Sequence, residues 1–240
     1  MVTRQVVNDL LAGFWSAPTG LRGWPMVLLG IAVSVVLTWI FVRSGLDWAY
    51  FVLIQKLPLF GALIAADGFG YIFPVLYVAG LFLAARRAPQ KGYGAAGFAV
   101  LISVALALAV SMTLKAITGR VSPPHHAYGA ALTNADNSDA FNFGWMNLSI
   151  LGGWPSSHAT VAFAITVSLM VVLPRARRFH LITLCLAAFT GLGVTFGFHW
   201  LSEFVSGALI GASIGLWVGS VFAARIAMAT GRVPMAQTDP

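Results

Sequence analysis

The chain has 240 residues, 59% of them hydrophobic and 9% charged, with a mean hydropathy of +0.86. This composition excludes a water-soluble monomer, a disordered chain and a coiled coil, and reads as an all-α polytopic membrane protein whose helices satisfy their own backbone groups. The net charge of +7 comes from basic residues at the ends of apolar runs, which are topology signals and not a nucleic-acid footprint. Cys185 is the single cysteine, so no intramolecular disulfide is possible.

In chain order, Met1 to Gly23 is polar and amphipathic and reads as an interfacial segment covering residues 1–24, with no cleavable signal. Pro25 to Val42 is the first predicted span, closed by Arg43. Leu46 to Gly70 is apolar but interrupted by Asp47, Lys56, Pro58 and Asp67, and reads as interfacial or re-entrant. Spans are predicted at Tyr71 to Ala85 and Ala95 to Ile117. The polar connection that follows, residues 118–154, is long for a structureless loop and thereby hints at function. Three more spans are predicted, at Ser156 to Pro174, Phe179 to Phe198 and Trp200 to Ala224, before a loosely ordered tail at 228–240. The whole is read as one six-helix membrane domain.

Six crossings put both termini on one side. Arg4, Arg22, Arg86, Arg87, Lys91, Arg175, Arg177, Arg178, Arg225 and Arg232 share that face, against Arg43, Lys56, Lys115 and Arg120 on the other. The positive-inside rule makes the terminal face cytoplasmic and turns the long loop outward. Gly207, Gly211, Gly215 and Gly219 place small residues on one face of the last span, a pattern for close helix packing. Trp24, Trp145, Trp154 and Trp200 fall near predicted boundaries, as an aromatic belt does.

The outer face collects the chemistry. His158 opens one span and His199 follows the next, 41 residues on, the length of two ~30 Å helices at ~1.5 Å per residue plus a turn. Two histidines distant in sequence therefore meet at one depth. Around them stand Lys115, Arg120 and Pro155-Ser156-Ser157, which opens a helix whose free N–H groups favour an anion. Phosphoryl transfer needs a nucleophile, an acid for the leaving oxygen and positive charge at the equatorial oxygens. His199, four residues before Glu203, is the candidate nucleophile, with the carboxylate orienting its ring. His158 is the candidate acid, and Lys115, Arg120, Ser156, Ser157 and Ser122 are the candidate phosphate-binding residues. His125, His126, Asp136 and Asp139 share the loop, but their spacing matches no zinc pattern, so no metal site is assigned.

At these residues the sequence resembles the type 2 phosphatidic acid phosphatase superfamily, over roughly Lys115 to Glu203 and in the six-span plan. Against the family's K-x6-R-P, Lys115 to Pro123 reads K-A-I-T-G-R-V-S-P, with Ser122 at the Arg position and Arg120 two residues before it. P-S-G-H appears as Pro155-Ser156-Ser157-His158. In S-R-x5-H-x3-D, Leu192 and Gly193 stand at the Ser-Arg positions, His199 matches and Glu203 replaces Asp. The resemblance implies a bacterial inner-membrane enzyme without a cofactor that hydrolyses a lipid phosphate or diphosphate through a phosphohistidine, its site periplasmic or extracellular. Its partners would be the lipid phosphate and membrane lipids, with no nucleic acid. A lipid phosphotransferase with a hydroxyl acceptor and a non-catalytic anionic-lipid binder or transporter component remain the alternative readings.

Overall fold

The computed structural model describes residues 23–57, 60–88, 92–124, 136–147 and 153–229. The N-terminal interfacial stretch up to residue 22, the centre of the long loop with His125 and His126, and the tail from 230 lie outside the described residues.

Every named element among the described residues is helical. Helix α1 runs Trp24–Arg43, with Pro25 in its first turn, where a missing N–H leaves no gap in the hydrogen-bond ladder. It buries Val27, Gly30, Ser34 and Thr38, a stripe at helical spacing. Gly45, at φ +70°, turns the chain into the short helix α2, Leu46–Gln55, which buries Asp47, Phe51 and Ile54. Helix α3 follows at Phe60–Arg87. The segment expected to be interfacial thus resolves into two elements: α2, and the first turns of a helix that continues unbroken into the span expected from Tyr71. The interruption in hydropathy misleads because Pro58 precedes the helix and because Asp67, inside it, is paired with a histidine of a neighbouring helix.

Helix α4, Tyr93–Thr118, is bracketed by Gly92 (φ +74°) and Gly119 (φ +47°), both left-handed, as helix ends favour. Helix α5 is Ser157–Val172, α6 is Arg177–Gly193 with a 3-10 turn at Val194–Phe196, and α7 is Leu201–Ala229. Five helical stretches are long and apolar enough to cross a membrane: Trp24–Arg43, Ala65–Arg87, Tyr93–Thr118, Arg177–Phe196 and Leu201–Ala227. Helix α5, at 16 residues, is shorter than the ~20 that a span ordinarily needs.

Helices α5 and α7 form the densest seam. A Cβ at Gly207 would lie 2.6 Å from the Ser156 carbonyl oxygen, one at Gly211 2.2 Å from that of Thr160, and one at Gly215 2.5 Å from that of Ala164. The glycine stripe therefore lets two backbones touch, which is how helices associate where lipid removes the hydrophobic driving force. Helix α1 packs on the same partner: Gly30 stands where a Cβ would lie 2.5 Å from Ser213 Oγ. Trp154 departs from the aromatic-belt reading. It is 3% exposed, and its Nε1–H lies 2.8 Å from Thr38 Oγ1 and 2.9 Å from Ser206 Oγ, pinning the end of the long loop to α1 and α7. Trp200 is likewise interior, donating to the Val121 carbonyl at 2.8 Å, whereas Trp145 is exposed.

Candidate active site

The start of α5 is locked to the start of α7. Ser156 N–H donates to the Glu203 carbonyl at 3.1 Å, and Ser156 Oγ caps the helix by accepting from Ala159 N–H. Ser157, the first residue of α5, brings its hydroxyl 3.1 Å from Ser111 Oγ of α4, and His158 follows one residue later. The same helix end thus carries a cap, a hydroxyl and an imidazole.

His199 lies in the bend before α7 and not on the helix itself, yet its ring meets the first turn: Nδ1 is 2.6 Å from Oε2 of fully buried Glu203. Burial holds the His199 imidazole below its ordinary range, against the opposing pull of the Glu203 hydrogen bond and charge. Carboxylate and neutral ring are both accommodated by one assignment, in which Nδ1–H donates to Glu203 and Nε2 keeps its lone pair. The rings of His158 and His199 are 6.5 Å apart, centroid to centroid, and inclined by 60°. The two ends of the α5–α6 hairpin thus share one site.

Lys115, 2% exposed near the end of α4, lies within electrostatic range of His158, His199 and Glu203. With Ser157 and His158 it lines one end of a cavity of about 280 Å³, whose other walls include Val104, Leu108 and Met112 of α4 and Pro74 of α3. Lys115, Ser157 and His158 are thus set against a mostly apolar lining.

Arg120, expected at the phosphate, is turned into the protein. Its Nη2 donates to Asp47 Oδ2 at 2.8 Å and to the Ser138 carbonyl at 2.7 Å, its Nε donates to the same carbonyl at 3.2 Å, and its Nη1 donates to Ser202 Oγ at 2.7 Å. Phe141 and Trp200 flank the guanidinium. Nη1 also stands 3.7 Å from Glu203 Oε1, so the arginine backs the carboxylate that holds His199. Ser122 belongs to the loop, where its carbonyl accepts from Asn137 Nδ2; among the described residues no contact ties its hydroxyl to the histidines.

Two acidic residues assigned to the interfacial segment prove central. Asp47, fully buried, takes Ser202 N–H on Oδ1 at 2.8 Å and Ser202 Oγ on Oδ2 at 2.6 Å, in addition to Arg120. It caps α7 from another helix, where the helix dipole favours an anion. Asp67 of α3 places Oδ1 3.5 Å from His158 Nε2. The available signal was an acidic group inside an apolar run, which by default marks a functional position. Gly193, where the family's third motif carries Arg, abuts α3: a Cβ there would lie 2.2 Å from the Ala66 Cβ. Helix α3 fills the room that a longer side chain would require.

The model of the PAP2 superfamily matches residues 96–227, more than half of the chain. The site just described lies within this stretch apart from the contributions of α2 and α3. The protein belongs to the PAP2 superfamily, whose members are generally phosphatases, and its apolar helices have the length and composition of membrane spans. Comparison with curated proteins and with solved structures finds no match.

Proposed function

We propose that this protein is a membrane-bound phosphatase that removes phosphate from a lipid phosphate or diphosphate through a phosphohistidine on His199. The observation that carries the reading is the pair of imidazoles 6.5 Å apart, one of them oriented by Glu203 at 2.6 Å. That spacing puts both imidazoles within reach of a single phosphoryl group. Nε2 of His199 attacks phosphorus as the bond to the leaving oxygen breaks, and the His158 imidazolium gives that oxygen its proton. Neutral His158 then takes a proton from water, whose oxygen attacks phosphorus, and the P–N bond breaks with its electron pair returning to His199. Phosphate leaves, and both histidines are restored.

Lys115 and the free N–H groups in the first turn of α5, supported by Ser156 and Ser157, meet the equatorial oxygens. Arg120 acts at one remove, holding Glu203 with the help of Asp47. The apolar groove along Val104, Leu108 and Met112 suits a lipid tail. We place α5 as a sixth crossing, shielded from lipid by its neighbours. The distribution of Lys and Arg supports cytoplasmic termini and a site at the outer leaflet of a bacterial inner membrane.

The test is phosphate release by the purified protein from a panel of lipid phosphates and diphosphates, with acid-labile phosphoprotein trapped in parallel. His199→Ala is expected to abolish both signals, and His158→Ala to slow release by about 10²–10⁴-fold. Unchanged turnover in either variant, with the protein folded in detergent, overturns the scheme.

A further inference from the structure

Glu203 has a counterpart on the other histidine. Helix α3 runs directly over His158: a Cβ at Gly70 would lie 2.0 Å from His158 Cδ2, and the ring of Tyr71 stands edge-on at 5.0 Å. Only glycine at position 70 lets the helix backbone come so close, and the approach delivers Asp67, one turn earlier, to the imidazole. Asp67 Oδ1 is 3.5 Å from His158 Nε2, an ion-pair distance. This Nε2 is buried, so Asp67 is the group at hand to pair with it. The contact between α3 and α6 at Gly193 holds the same stretch of α3 in place, with Ala66 adjoining Asp67.

We propose that Asp67 is the positioning residue of His158, pairing with its protonated ring so that each of the two imidazoles works against its own carboxylate. The inference deepens the phosphatase reading and rests on it for its catalytic consequence. The groups facing His158 are Asp67 and Tyr71 from α3, Lys115 from α4 and His199 from the bend before α7. Lys115 and a protonated His199 oppose a charge on His158, and Asp67 favours it, through its backbone and with its carboxylate 3.5 Å away. An acid for the leaving oxygen has to be protonated when substrate is bound, and a carboxylate 3.5 Å from Nε2 favours that form. With Nε2–H anchored on Asp67, the opposite ring nitrogen carries the proton that moves to the leaving oxygen as the P–O bond breaks. Asp67 stays ionised throughout, and no further reactant is needed. The corner where the family motif has an arginine is thereby given to a helix carrying a carboxylate, and the site exchanges a phosphate ligand for control of its acid.

Asp67 is part-exposed, and Asp67→Asn is isosteric, so the variant keeps its packing. Histidine ¹³C-labelled protein in detergent micelles, with the His158 signal assigned by its loss in His158→Gln, reads the pairing without turnover. Asp67→Asn is expected to lower the His158 titration midpoint by about one unit, a tenfold loss of proton affinity, and Asp67→Glu to restore most of it. In kinetics on a lipid phosphate, the basic limb of kcat, where the acid form of His158 is lost, moves to lower pH in Asp67→Asn, with KM within about twofold of the parent. An unchanged His158 midpoint in Asp67→Asn overturns the pairing. A shifted midpoint with an unmoved basic limb overturns its catalytic role. A parent protein that releases phosphate from no lipid phosphate overturns the phosphatase reading instead, and the midpoint still decides the pair.

Discussion

The two histidines, 6.5 Å apart, sit in contrasting surroundings. His199 lies against the α5–α7 seam, 4% exposed and bonded to Glu203 at 2.6 Å, with Arg120, Asp47 and Ser202 behind it. His158 faces α3, its ring nitrogen 3.5 Å from an aspartate that is itself part-exposed, at the mouth of a groove lined by apolar side chains. One wall is made of backbones in contact and a closed polar network, the other of a single helix resting on glycines. The contrast fits the roles proposed for them. A nucleophile has to keep one line of attack, which a closed network holds, whereas a proton donor has to meet the oxygen of whichever leaving group enters.

The most damaging way to break the rigid side is Asp47→Ala. It strands the buried Arg120 guanidinium and uncaps α7 at Ser202, and the loss of one partner of a buried ion pair costs about 3–5 kcal/mol. A large drop in the thermal unfolding temperature in detergent is expected, with phosphate release lost even in molecules that remain folded. A variant as stable as the parent would show that the network does not hold the nucleophilic side.

The α3 side is probed by Gly193→Ala. The added methyl meets Ala66 of α3 at 2.2 Å, and one of the two helices has to shift. Overpacking of this kind costs about 1–3 kcal/mol. The displacement falls on the wall that carries Asp67 and Gly70, so His158 is expected to react faster with diethyl pyrocarbonate while His199 keeps its rate. Equal changes at both histidines would mean that the two walls are not mechanically distinct.

The legible part of this molecule was the part governed by length and periodicity. Apolar runs located α1, α4, α6 and α7 to within a few residues, and the spacing of His158 and His199 is that of a helical hairpin. The glycines at intervals of four pointed to a seam because small residues on one face have few other uses in a membrane helix. The start of α3 was illegible for a physical reason: hydropathy counts Asp67 as a break, and only the packing of α3 on α5 reveals that this carboxylate has a partner. Arg120 was misplaced for the same reason. A cation near a phosphate-shaped site reads as a phosphate ligand until Asp47, from a segment more than seventy residues earlier, is found against it. Trp154 and Trp200 likewise look like interfacial anchors in one dimension, and only the fold supplies the hydroxyls and the carbonyl that bury them.

The finest test of the contrast lies in the acid limb of kcat/KM, which reports groups in the free enzyme. Burial holds the His199 imidazole below the ordinary histidine value of about 6.5. The nucleophile is the neutral ring, whose Nε2 lone pair vanishes on protonation. As the pH falls, an ordinary exposed histidine would lose half its nucleophile near 6.5, whereas His199 keeps its lone pair below that point. The acid limb is therefore expected below pH 6.5. A lipid monophosphate itself titrates near ~6, so the limb has to be read beside the pH dependence of His199 carbethoxylation, which follows the imidazole alone. If that reaction is half-lost at or above pH 6.5, His199 is not desolvated as the fold requires, and the rigid wall is more open to water than its packing indicates. If it persists to lower pH, His199 is kept neutral by burial, as the closed packing around it requires.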